Sequence, residues 1–175
     1  MNPILKKLAG TDRRSIGRSD EVVAEVLADP RLFDAVFEGM LADDRVLRMR
    51  AADAVEKITA RHPEYLHPYK SRLIRQVARI DQQEVRWHMA QMFSRLDLTR
   101  AERRRVVDLL AEYLKDESKI VKTFSMQALA DIAEKDADLR PSIVTQLQEL
   151  TRTGSPAMQS RGRKLLARLA RQFDT

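Results

Sequence analysis

One twelve-residue pattern occurs four times along the chain. It reads LRMRAADAVEKI at 47–58, VRWHMAQMFSRL at 85–96, VKTFSMQALADI at 121–132 and MQSRGRKLLARL at 158–169. The copies begin 38, 36 and 37 residues apart. A unit of this length holds a helical hairpin that cannot bury its apolar face alone, so each copy must stack on its neighbours. Within the first copy Leu47, Ala51, Ala54, Val55 and Ile58 follow helical spacing, a stripe about 100° wide. The expectation is an all-α, α-α superhelix of about four helical pairs, each copy forming the second helix of its pair.

Boundary residues agree. The first helices are expected over 31–41, 63–80, 101–114 and 139–151. Pro63 and Pro156 suit first-turn positions, and Ser155 can cap ahead of Pro156. Thr99 with Glu102 makes a capping box, and Asp81 with Glu84 the equivalent with an aspartate cap. No alternating pattern of the strand type interrupts the repeats. The whole chain, 1–175, reads as one repeat domain. Residues 1–29 form its N-terminal cap segment, 30–153 its central repeats and 154–175 its C-terminal capping helix. Inside the N-terminal segment 19–28 reads as a helix, 1–9 as a further short helix and 10–18 as a flexible link.

Two details go beyond the period. A basic residue follows the first apolar position (Arg48, Arg86, Lys122), and an acidic residue stands five places ahead of it (Asp43, Asp81, Glu117). In these details the chain resembles HEAT repeat proteins over about residues 30–170. That resemblance implies a ladder of polar contacts between adjacent repeats, a concave surface lined by second helices, and a role in binding. The fourth copy has Gln159 and Gly154 at the two places, so the ladder is expected to end there. Tetratricopeptide and ankyrin periods, about 34 and 33 residues, do not match.

Composition narrows the chemistry. There is no cysteine, which excludes thiolate catalysis and cysteine-bound zinc. The five glycines are too scattered for a phosphate-cradling loop. His62 and His67 flank a turn-like HPEYLHP segment without a third ligand, and no serine sits in a nucleophile elbow. The chain is read as a non-enzyme that needs no cofactor and no metal. HEAT-like DNA glycosylases pair tryptophans with a catalytic aspartate, whereas here Trp87 is the sole tryptophan and Gln91 follows it one turn later. No signal-type or membrane-spanning apolar run appears, so a cytoplasmic protein is expected.

Charge is segmented. The net +6 divides into basic stretches at 1–18, 70–105 and 152–175 and acidic ones at 19–69 and 106–151. Projecting the second helices at about 100° per residue places one strip opposite the apolar stripe. Arg45, Met49 and Asp53 lie on it in the first copy, Gln83, Trp87 and Gln91 in the second, Lys119 and Gln127 in the third. These are the candidate partner-binding residues, with Met49 and Trp87 side by side as apolar anchors. Glu56, Glu134, Lys164 and Arg171 share the strip, and its charges nearly balance. A mixed groove with an apolar centre suits a protein or peptide better than duplex DNA, which needs a continuous positive track. The alternative is a nucleic-acid-binding module using a basic patch of Arg72, Arg75, Arg79, Arg86, Arg104 and Arg105. A third reading has Leu165, Leu166, Leu169 and Phe173 completing an assembly.

Overall fold

The computed structural model describes residues 2–12 and 14–173, and among them there are ten α-helices and no strand. The chain divides into two compact units, Met1–Asp97 and Leu98–Thr175. The first holds α1 (Pro3–Lys6), α2 (Ser19–Ala28), α3 (Phe33–Gly39), α4 (Arg45–Arg61), α5 (Lys70–Arg75) and α6 (Gln83–Phe93). The second holds α7 (Arg100–Tyr113), α8 (Lys119–Lys135), α9 (Arg140–Thr153) and α10 (Pro156–Phe173). The four twelve-residue copies fall on α4, α6, α8 and α10, as the periodicity requires.

Capping chemistry sets most starts. Asp44 accepts hydrogen bonds from the Val46 and Leu47 amides at 2.8 Å and opens α4. The Thr99–Glu102 capping box opens α7, and the Ser155 hydroxyl accepts from the Met158 amide in α10. Asp81, however, does not cap α6. Gln82 holds the cap position, and the Asp81 carboxylate pairs with Arg86 at 3.0 Å. Nor is 63–80 one helix: it runs as a 3-10 turn (Pro63–Tyr69), α5, and a second 3-10 turn (Val77–Arg79). Pro68 inside the first turn has no N–H for an α-helical bond.

In the first unit α2, α3 and α6 all pack on α4, burying Val26, Phe37, Met40, Val55, Ile58, Met89 and Met92 completely. In the second, α8, α9 and α10 pack against one another around Met126, Leu129 and Leu147. Leu165 and Leu169 turn into this core, and the Arg140 guanidinium lies 3.4 Å from the Phe173 ring centroid. Of the expected apolar end for an assembly, Leu165 and Leu169 are thus used internally, while Leu166 is half-buried and Phe173 stays exposed.

Second helices are joined by arginines, and of the expected ladder Arg48 reaches the next repeat while Arg86 pairs with Asp81 inside its own. Arg48 donates to the Gln82 side-chain carbonyl at 2.8 Å and to the Ala42 carbonyl at 3.1 Å rather than to Asp43. Gln82 in turn donates to the Arg45 carbonyl. Arg95 pairs with Glu56 and donates to Thr59. In the second unit Arg161 donates to Gln127 at 2.9 Å, and Arg168 pairs with Asp131 at 2.8 Å and Glu134 at 2.7 Å. The fourth copy thus continues the stitching from positions that a fixed-register comparison overlooks.

Gly162 sits where α10 crosses α9. A Cβ there would lie 1.9 Å from the Thr151 hydroxyl and 3.1 Å from the Met126 methyl. Gly162→Ala should lower the unfolding free energy by about 1–3 kcal/mol, the usual cost of overpacking. Denaturant titration followed by circular dichroism measures it; an unchanged midpoint contradicts the crossing described here.

Candidate ligand pocket on the first unit

The site begins with a buried arginine. Arg50, on α4, is 5% exposed. Its Nε donates to the Ser15 carbonyl (3.0 Å), Nη1 to those of Leu8 (3.1 Å) and Ala9 (2.8 Å), and Nη2 to that of Asp12 (3.0 Å). The segment between α1 and α2, expected to be a flexible link, is wrapped around this guanidinium. Gly17 has φ +58°, a conformation side-chain-bearing residues rarely adopt. A Cβ on Gly10 or Gly17 would also come within 2.6 or 2.7 Å of Arg50 Nη1. Both glycines are explained by the same side chain.

The wrapped segment and α2 change what α4 exposes. Ser19 donates its hydroxyl proton to Asp53 at 2.5 Å. Lys57 bridges Asp53 (2.9 Å) and Asp20 (2.7 Å). Met49 and Asp53, expected to stand open on the strip, are each only 9% exposed, because an N-terminal segment with no counterpart in the repeat pattern lies over them. Both remain in contact with a pocket of about 300 Å³. Its walls are Met49 and Asp53 from α4, Glu84, Trp87 and His88 from α6, and Arg14, Ser15 and Ile16 from the wrapped segment. Met49 and Trp87 thus line one cavity from neighbouring second helices. Trp87 is half-buried, its ring edge-on to His88 with centroids 5.7 Å apart.

His88 is buried, and its Nδ1 has no hydrogen-bond partner among the described residues. Burial pushes the imidazole below its ordinary 6.5, outweighing the pull of Asp53 and Glu56 towards protonation. It is neutral at pH 7. Glu84 is half-buried and has no hydrogen bond or ion pair among the described residues.

The other strip residues have different settings. Arg45 and Gln83 are exposed. Gln91 donates back to the Trp87 carbonyl along its own helix. In the second unit Lys119 is exposed, while Gln127 is held between Arg161 and Asp131. Of the basic patch, Arg72 is paired with Glu38 at 2.5 Å and lies over the Phe37 ring, and Arg86 is paired with Asp81. Arg75, Arg79, Arg104 and Arg105 are exposed. The acids counted against the strip's cations are likewise engaged: Asp53 by Lys57, Glu56 by Arg95 and Glu134 by Arg168.

Sequence reasoning missed Arg50, Glu84, His88 and the wall formed by Arg14, Ser15 and Ile16. A signal for Arg50 existed. At about 100° per residue it lies only about 60° from Leu47 around α4, on the flank of the apolar stripe. Among the described residues no group of three or more acidic or histidine side chains is placed to hold a metal.

All-α architecture, repeat-spaced second helices and arginine stitching between them define a helical-repeat protein of the HEAT type. The HEAT repeat domain family matches residues 6–169, and the chain belongs to that family. No curated protein matches it. Among the described residues no helix is long and apolar enough to cross a membrane.

Arg50→Met should free the wrapped segment. Trypsin cleavage at Arg14 and Arg18 should accelerate at least about tenfold, because local opening governs such cuts, and Trp87 emission should shift to longer wavelength. Unchanged cleavage would show that the clasp does not hold the segment. For His88 the folded value is depressed for a base, so between it and 6.5 the unfolded chain binds more protons. Stability is full above pH 6.5 and declines as pH falls through that window. His88→Gln should flatten this slope in urea titrations between pH 7.5 and 5.

Proposed function

We propose that this protein is a non-enzymatic scaffold that binds a protein or peptide partner through its second-helix face, with Trp87 and Met49 as apolar anchors. The observation that carries the reading is the pocket of about 300 Å³ that joins the chain's sole tryptophan to Met49. Its volume suits one or two inserted side chains, and half-buried aromatics in such positions tend to dominate binding energy. Polar readout falls to the exposed Arg45 and Gln83 at the rim. Asp53 in the first unit and Gln127 in the second are each engaged within their own unit and hold the shape of their own second helices. The reading requires no cofactor and suits a cytoplasmic protein.

Affinity capture from the native host, with wild-type and Trp87→Ala proteins side by side, tests it. The variant should retain its circular dichroism spectrum and lose its partner about tenfold or more. Full capture by a folded variant removes the reading.

A second reading applies to the second unit. With Asp131 and Glu134 both held by Arg168, Lys119, Lys164 and Arg171 meet no carboxylate among the described residues. Such a face favours an anionic partner, nucleic acid included. Its mark would be gel-shift binding that weakens steeply between 50 and 200 mM salt. Absence of binding at low salt dismisses it.

A further inference from the structure

Formal charge is concentrated on two helices. The chain's net charge is +6. α8 and α10 together hold eight basic side chains against two acidic ones, a difference equal to that whole, so the rest of the chain is neutral in sum. α10 has no acid, and the two acids of α8, Asp131 and Glu134, are both held by Arg168. On the neighbouring α9, Glu149 is paired with Arg152. Asp108 on α7 and Glu117 in the turn ahead of α8 have no partner among the described residues, and Glu117 offsets Lys119 two residues away. The charge left over is that of Arg163, Lys164 and Arg171, all exposed on α10 and meeting no carboxylate among the described residues.

Helical geometry sets these cations out in order. Lys164 and Arg171, seven residues apart, fall in line to within about 20° and about 10 Å apart along the axis; Arg163 stands about 100° round from Lys164. The same outer side carries small exposed side chains, Ala157, Ser160, Ala167 and Ala170. The apolar side of α10, with Met158, Leu165 and Leu169, is buried in the unit's core. Of the exposed large apolar side chains only Ile120 and Phe173 belong to α8 and α10, each at a helix end, and Phe173 lies under Arg140. Phe124, the other ring of the pair, is half-buried.

Such a surface discriminates among anions. A protein partner needs a desolvated apolar anchor at the centre of the contact, and here the centre is alanine and serine. Single strands are held by base stacking on aromatic rings, and this side of α10 has none. A bilayer needs an apolar face that can insert, and that of α10 is already packed. Duplex phosphates need only spaced cations and hydroxyls. Small side chains between the cations let the helix come close, and the major groove of B-form DNA, about 12 Å wide, admits a helix where that of A-form RNA does not. Resting on the second of the readings above, we propose that the outer side of α10 binds duplex DNA through its phosphates without reading sequence. Lys164 and Arg171 meet phosphates on one flank of the groove and Arg163 on the other, and the Ser160 hydroxyl donates to a phosphate oxygen.

The salt dependence tests this contact by contact. Full-length protein is titrated into labelled duplexes of two unrelated sequences, about twenty base pairs each, and anisotropy is followed between about 50 and 200 mM salt. Both duplexes should bind equally within about twofold, with log affinity falling against log salt at a slope of about −2.7, or about 0.9 for each of three neutralised phosphates. Lys164→Gln and Arg171→Gln should each weaken both duplexes about threefold or more and bring the slope about 0.9 closer to zero. Arg104→Gln, on the exposed side of α7, should leave the slope unchanged. A single strand, duplex RNA and polyglutamate of similar length should each bind about fivefold or more weakly than duplex DNA. Thermal melts confirm that the variants, all at exposed positions, are folded.

Unaltered slopes in Lys164→Gln and Arg171→Gln, an equal loss in Arg104→Gln, or a strong preference for one sequence would each overturn the proposal. So would equal or tighter binding of the single strand, the RNA or the polyglutamate. Binding of one of those in place of duplex DNA would leave the anionic reading of this face standing, whereas no binding of any polyanion at about 50 mM salt would remove both.

Discussion

The guanidinium of Arg50 is the interaction from which the first unit's candidate pocket follows. Burying such a group costs several kcal/mol unless its donors are met. Here they are met by backbone carbonyls, from Leu8, Ala9, Asp12 and Ser15. Carbonyls are supplied by any sequence, but only a chain that turns tightly can aim four of them at one group. Gly10 and Gly17 allow that turn by leaving room beside the guanidinium. The result is a third wall, which turns the shallow seam between α4 and α6 into a pocket.

Arginine also joins successive second helices within each unit. Its planar fork reaches the next helix and satisfies carboxylates, amides and carbonyls together, as Arg48, Arg95, Arg161 and Arg168 do. These contacts engage Glu56, Asp131 and Glu134, acids of the second helices. Formal charge along the face is therefore a poor guide to its field: what matters is which charges remain without partners. Among the described residues Glu84, Arg14 and Arg45 remain in the first unit, and Lys119, Lys164 and Arg171 in the second. The two units differ in their unpartnered charge: the first carries both signs around its pocket, and the second leaves cations on α8 and α10.

His88 ties the pocket to stability. A histidine held neutral by burial, its Nδ1 without a partner among the described residues, is tolerated where the surrounding packing is strong enough to enforce it. Its neighbours Met49 and Trp87 form the proposed contact surface. Conditions that protonate this ring act on the same few side chains that would hold a ligand.

Much of this was legible from residue order. The helical class, the placement of all four second helices, the capping box at Thr99 and the convergence of Met49 with Trp87 follow from a 3.6-residue period repeated at intervals of 36 to 38. Such features are local, or repeat a local feature at constant phase. The broken helix at Pro68, the exchange of Asp81 from cap to ion pair, and the burial of Met49 and Asp53 were not legible. Each depends on a partner distant in sequence or on competition between two partners for one group. Arg50 belongs with them: its position beside the apolar stripe marks it as unusual, but helical spacing cannot tell which backbone will close around it. Periodicity specifies the faces a helix must bury. What covers the remaining face is decided by chain outside the repeat, through long-range contacts that have no period.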